Sequence, residues 1–497
     1  LLDILLLLVL LLLKRWLFLF VLLFHHSRRR VVRRRIERYC DSVPIERTCL
    51  ALLCHLGSPV ARLPGAGAAL VLRCCAGGAV LSRLAHDLEG ASGEGRVAPA
   101  GVRAEQAPRP VRRPPASLVG SRVEYIGAAS SFHEPGAHAR GHWSDTGRFR
   151  TLPEGNVDHL RLAFTSCSNY AAGYFNVYRE LSHRHDLDVV LHLGDYIYEY
   201  ANIEESLASG RVNEPLGETV SLEDYRARHA CYKADKDLQA VHRQHAFIAI
   251  WDDHEVANNA WQGGAANHSL IQGEWGQRLS AAVQAYYEWM PVREISHTGR
   301  LALYRGYRFG NLLDLSVLDT RLAGRDAPAE TPDAINAEER TLLGAEQEAW
   351  LETRLASAQQ EGVTWKLLGQ QVMMAQFGLA EQPFNYDQWD GYPAARRRLF
   401  DCIRRHNVEN FGVLTGDIHS GWAMTLNDDP FTSIDTPIGF ELVTPAVTSP
   451  GISNKTTAAL AGSSLMQVMP HLEFIDFYYR GFVLLDITHD HLQAEWW

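Results

Sequence analysis

The densest chemistry in the sequence lies in Asp252-Asp253-His254-Glu255, where three carboxylates surround one imidazole in four consecutive positions. Burying that much like charge without a cation is costly, so the run points to a functional site rather than a solvated turn. A second stretch, Gly416-Asp417-Ile418-His419, sets a carboxylate and an imidazole one residue apart. In an extended segment that spacing turns both side chains to one face, as two ligands of a single site require. Three further stretches offer coordinating or acid-base groups: Thr165-Ser166-Cys167-Ser168-Asn169, Gly194-Asp195-Tyr196-Ile197-Tyr198-Glu199 and Gly369-Gln370-Gln371. Taken singly these are ambiguous. A lone cysteine also serves as a small buried hydrophobe, Gly-Asp also forms a capped turn, and Asn169 also suits an Asx-turn.

What precedes these stretches gives them weight. Short apolar runs of strand length cover 160–165, 188–193, 246–251, 311–318, 364–368 and 411–415, while 222–243, 274–290, 337–360 and 394–406 carry helical periodicity. This is α/β order, and each of the five chemical stretches follows one of the strands. Ligand sites in α/β sheets assemble at the carboxyl ends of the strands. Other features carry less: His183, His185, His242, His245, His406 and His489 read as surface or internally satisfied histidines, and Arg396-Arg397-Arg398 as a solvated helix face.

The chain is long enough for two or three domains, with 497 residues, 46% apolar, 10% aromatic and 21% charged, which excludes disordered, collagenous and disulfide-miniprotein classes. A net charge of −10 argues against nucleic-acid binding through a general basic field. The charge is unevenly spread. Residues 1–113 hold 18 basic and 8 acidic side chains, and the remainder 30 basic and 50 acidic. Apolar runs at 4–13 and 16–24 are split by Lys14 and Arg15, so neither alone reaches the roughly 18–20 residues of a spanning helix. Residues 1–115 are expected to be a leader, either an anchor, a signal or mistranslated sequence. The eight cysteines match no disulfide or zinc framework.

Together the stretches resemble the alkaline phosphatase D (PhoD) family, within the calcineurin-like and purple-acid-phosphatase-like metallophosphoesterases. The resemblance rests on Ser166 to Asn169, Gly194 to Glu199, Trp251 to Val256 with Asn258-Asn259, Gly369 to Met373 and Gly416 to His419. It extends to linking phrases such as Gly173 to Tyr178 and Leu342 to Trp350. It implies a four-layer αββα sandwich over residues 153–497, a remnant of an N-terminal β-sandwich module at 116–152, and a degraded or unrecognisable segment before that.

The resemblance also implies a ligand set. A thiol and a phenol coordinate well only as anions, so a site joining Cys167 and Tyr198 needs a strong Lewis acid. Ferric iron fits there, with Asp195 and His419 completing the shell. Asp253, Asp417, the shared Asp195 and the amide oxygen of Gln371 form an oxygen-only set suited to calcium, with magnesium or manganese as alternatives. His254 is expected to be protonated and to serve the leaving group, with Asp252 or Glu255 orienting it and Asn169 donating to the phosphate. The expected activity is hydrolysis of phosphomonoesters, phosphodiesters or both, on small molecules or phosphodiester polymers, with no nucleic-acid reading and no stable protein partner. An extracytoplasmic location, periplasmic or secreted, goes with the resemblance, and an N-terminal anchor remains open. The alternative is a metal-binding pseudoenzyme of the same fold.

Overall fold

Alternation along the inner strands builds two cores at once. Leu367, Leu414, Leu442 and Ala423 belong to one buried cluster, and their neighbours Leu368, Val413, Val443 and Trp422 to another. Successive side chains of a strand face opposite sides of a sheet, so one sheet must separate these clusters. The computed structural model describes residues 146–293, 302–329, 331–379, 382–432 and 436–497, together with the backbone of Ala61–Arg62, Ala69–Cys74 and Tyr125–Ala128.

One sheet runs, edge to edge, Ala61–Arg62, Ala69–Cys74, His491–Trp496, Val483–Thr488, His159–Thr165, Val189–His192 and Phe247–Ala249. The other runs Leu472–Asp476, Gly421–Leu426, Gly439–Val443, Phe411–Thr415, Trp365–Gln370, Leu313–Val317 and Arg305–Phe309. Its four inner strands are parallel, and antiparallel strands close both edges. Leu162, Val190 and Leu191 of the first sheet share a cluster with Leu313, Leu315 and Leu367 of the second, so the sheets pack face to face. Tyr178, Tyr225, Val241 and Val283, from the helices Asn176–His183, Leu222–Lys233, Lys236–Gln244 and Trp275–Trp289, join the first sheet's cluster. Leu355, Leu399 and Leu465, from Ala345–Gln360, Pro393–Arg405 and Lys455–Val468, pack on the second sheet. The result is the expected αββα order.

Two helix boundaries depart from the sequence reading for local reasons. The pattern over 222–243 breaks because the Asp235 carboxylate accepts hydrogen bonds from the Asp237 and Leu238 N–H groups and starts a new helix. The pattern over 337–360 is helical only from Ala345, since Gly344 adopts φ 77° before it. A Cβ on the facing Gly324 would lie 2.5 Å from the Gly344 Cα, so this close crossing suits two glycines.

The apolar runs at 4–24 and most of residues 1–145 lie outside the described residues, and with them most of the β-sandwich module expected at 116–152. Ala69–Cys74 pairs in parallel with His491–Trp496, and Tyr125–Ala128 pairs antiparallel with Thr146–Phe149. Among the described residues, no helix is long and apolar enough to cross a membrane.

Candidate metal centre

The carboxyl ends of strands from both sheets meet along one edge. Ser166 forms a parallel bridge with Ala446, and the Cys167 and Ser168 N–H groups donate to the carbonyls of Gly194 and Asp195 at 3.2 and 2.9 Å. Four of the predicted ligands leave their strands in left-handed backbone: Cys167 at φ 61°, Asp195 at 55°, Asp417 at 61° and His419 at 59°. Such conformations are unfavourable for residues with a Cβ and persist where surrounding structure imposes them, as functional sites do.

Cys167, Asp195 and His419 each place one ligand atom within 4.8 Å of the others. Tyr198 joins them. Its hydroxyl donates to Asp195 Oδ2 at 2.7 Å, lies 3.2 Å from His419 Nε2, and accepts from Ser449 Oγ at 2.6 Å. The Nδ1–H of His419 donates to the Pro450 carbonyl at 3.0 Å, which turns the Nε2 lone pair to the cluster. Burial holds this imidazole near pKa 4 and so neutral, as a ligand must be. Burial, and then the neighbouring Asp195, push the Cys167 thiol and the Tyr198 phenol far up. Neither ionises there unless a cation supplies the missing charge.

Asp195 also belongs to a second group with Asp253 and His254, and Asp253 to a third with Asp252 and Asp417. Asp195 Oδ1 and Asp253 Oδ1 are buried and accept no hydrogen bond. A buried carboxylate oxygen without a donor costs free energy, and a bound cation removes that cost. The donor set therefore fits a metal at Cys167, Asp195, Tyr198 and His419. Oxygens of Asp195, Asp253 and Asp417 are available beside it for a second.

His254 stacks on the Tyr198 ring, with centroids 4.2 Å apart. Burial alone would lower its pKa, but Asp253, Glu199 and Asp195 overcome that and hold it well above the usual imidazole value. Its orienting partner corrects the sequence reading. Glu199 Oε2 lies 2.6 Å from His254 Nδ1, whereas Glu255 accepts the N–H groups of Asp195, Tyr196 and Asp252, and Asp252 pairs with Arg321. Glu255 thus fixes the backbone turn at Asp195, and Glu199 fixes the imidazole.

Gln371 is a second correction. Its amide oxygen accepts from the Thr320 N–H at 3.0 Å and the Thr320 hydroxyl at 2.5 Å, and its amide nitrogen donates to the Leu318 carbonyl at 2.9 Å. The side chain braces the loop after Leu313–Val317 instead of facing the carboxylates. Asn169 likewise closes an Asx-turn, its side-chain oxygen accepting from the Ala171 N–H at 3.1 Å and from Asn202 at 3.1 Å. It does not line the cavity that opens on Asp195, Asp253 and Asp417. Arg396 is also not on a solvated face. It is buried and donates to Asp390 at 2.7 Å.

Arg321 was not foreseen. Fully buried, its guanidinium donates to Asp252 at 2.5 Å, Asp387 at 2.6 Å and Asp417 at 2.9 Å, and lies 3.5 Å from Asp253. It is a fixed cation behind these carboxylates, so a metal held by Asp253 and Asp417 would share their charge with it. The signal lay in plain view: Asp319-Thr320-Arg321 follows the run at 311–318, the one of the six strand ends whose chemistry was left unread.

A family model described as PhoD-like phosphatase matches residues 162–496. Alkaline phosphatase D of Bacillus subtilis (strain 168) is 37% identical over 370 residues, which cover 71% of this chain and 61% of that protein. The chain thus spans about 61% of the length of this curated relative. A solved structure of PhoD is similar with a TM-score of 0.64 at 37% identity, over 70% of this chain and 68% of that one. A purple acid phosphatase from yellow lupin (Lupinus luteus) seeds gives 0.42 at 14% identity, over 70% of this chain and 53% of that one.

Proposed function

The chain belongs to the PhoD-like phosphatase family, and from that premise we propose that it hydrolyses phosphoric esters at the cluster centred on Asp195. The carrying observation is the convergence of Cys167, Asp195, Tyr198 and His419 on one point, with buried carboxylate oxygens of Asp195 and Asp253 beside it that accept no hydrogen bond. Thiol and phenol together support ferric iron at the first position, and the all-oxygen character of Asp195, Asp253 and Asp417 supports calcium, magnesium or manganese at the second. Bound cations there would supply Lewis acidity toward phosphoryl oxygens and toward an attacking water.

The chain's own residues supply the rest. Neighbouring carboxylates favour a protonated His254, and Glu199 takes Nδ1, so the proton it would give a departing oxygen is the one on Nε2. Asp195, which belongs to both groups, would contribute to both positions. Arg321 limits the mobility of Asp417 and Asp252 through direct hydrogen bonds. Left-handed backbone at Cys167, Asp195, Asp417 and His419 orients these side chains toward the site. Residues 153–497 form the catalytic unit on this reading, and an extracytoplasmic location, where calcium is plentiful, accompanies it.

The test is release of 4-nitrophenol from 4-nitrophenyl phosphate and bis(4-nitrophenyl) phosphate. The reading predicts turnover that a strong chelator abolishes and that metal restores. Turnover equal in the chelated, metal-free protein would contradict it.

A further inference from the structure

The cavity in front of the carboxylates has two unlike flanks. It encloses about 320 Å³ and is lined on one side by Asp195, Asp253, Asp417 and His419, with the neutral amides of Asn258, Asn259 and Asn385 nearby. The other side is carbon: Phe377, Ile418, Ile452, Ala461, Leu465 and Phe477. That flank is fixed in shape. Trp422, fully buried, stands edge-on to Phe377 and Phe477, each at 5.3 Å, and its indole N–H donates to Ser420 Oγ at 2.8 Å. Phe384 meets Phe377 at 5.1 Å from another side. Ala461 and Leu465 sit one turn apart on the helix Lys455–Val468 and present a common face to the space.

The apolar flank narrows the occupant. An arm bearing hydroxyls would lie against carbon and lose hydrogen bonds to water without replacement, whereas an alkyl or aryl arm gains by burial. The volume, near the lower end for ligand pockets, suits a phosphoryl group with a short arm. We propose that the Phe377–Leu465–Phe477 flank seats an alkyl or aryl arm of the phosphoric ester, so that esters with an apolar arm are preferred over those with a hydroxyl-bearing one. This rests on the phosphoric-ester reading. In the reaction, water adds its oxygen to phosphorus and the P–O bond to one ester oxygen breaks. That oxygen takes up a proton and leaves as an alcohol, and the phosphate that remains keeps the oxygen from water.

The test uses binding, so that it stands apart from turnover. Singly charged O-alkyl methylphosphonates, from methyl to hexyl, are titrated calorimetrically into the purified full chain with its metals bound. Their Kd is expected to fall roughly threefold for each added methylene. A methylphosphonate with an ether arm as long as hexyl is expected to bind no better than the methyl ester. Ala461→Asp, or Ile452→Asn if that variant does not fold, is expected to flatten the series. A Kd independent of chain length, or equal for the hexyl and ether arms, overturns the proposal while leaving ester hydrolysis standing. Failure of the metal-bound protein to hydrolyse either 4-nitrophenyl phosphate or bis(4-nitrophenyl) phosphate overturns both.

Discussion

Glu199 holds His254 by Nδ1 at 2.6 Å, and the same carboxylate, fully buried, accepts the Asn258 N–H at 2.7 Å and the Asn267 amide at 3.1 Å. The imidazole is thereby fixed in tautomer, charge and ring orientation from a residue 55 positions away. On the proposed reading His254 is the acid and Glu199 positions it. His254→Ala should lower kcat by about 10²- to 10⁴-fold with the metal content retained. Glu199→Gln keeps the length and removes the charge, and should cost about 10- to 100-fold. The double variant should be no slower than His254→Ala, because the two residues act as one unit. Additive losses would show that Glu199 acts elsewhere.

Arg321 compensates four carboxylates at once, and none has another cation as near except Asp387, which also meets Arg325 at 2.5 Å. Removing one partner of a buried ion cluster leaves uncompensated charge, so Arg321→Met should destabilise the protein by about 3–5 kcal/mol. Lysine cannot reproduce the forked contacts, and Arg321→Lys should recover little of that. Thermal melting of the three proteins decides this. An unchanged Tm for Arg321→Met would mean that the carboxylates are neutral or already held by a metal.

Gly194 ends the Val189–His192 strand segment at φ 99°, and a Cβ there would lie 2.4 Å from the Asp252 Cβ. Gly194→Ala must therefore shift either Asp195 or Asp252, the residue that receives Arg321. We expect a loss of about 1–3 kcal/mol from the backbone alone, together with weaker metal retention. Equal melting and equal metal content would contradict this account of the turn.

Much of the fold could be read from the chain, because the strands at 160–165, 188–193 and 411–415 are short apolar runs followed by polar chemistry. The five strands from Gly421 to Trp496 were missed. Leu472–Asp476 is an edge strand, and it and His491–Trp496 mix polar with apolar residues, so their runs do not stand out. At the site, Cys167, Asp195, Asp253, Asp417 and His419 were legible because each ends a strand with a ligand type. Glu199, Ser449, Asp387 and Arg321 were not assigned roles, since their partners lie far off in sequence and spacing says nothing of a contact made through the fold. Gln371 was misassigned for the converse reason: its position after a strand was right, but Thr320 claims its amide.

The most direct measurement is elemental analysis of the purified protein together with its visible absorption spectrum. The account predicts iron bound with a second, hard divalent cation, a charge-transfer band from thiolate and phenolate ligands, and loss or displacement of that band in Tyr198→Phe. A colourless protein without iron that hydrolyses phosphoric esters as fast as the iron-bound form would contradict it.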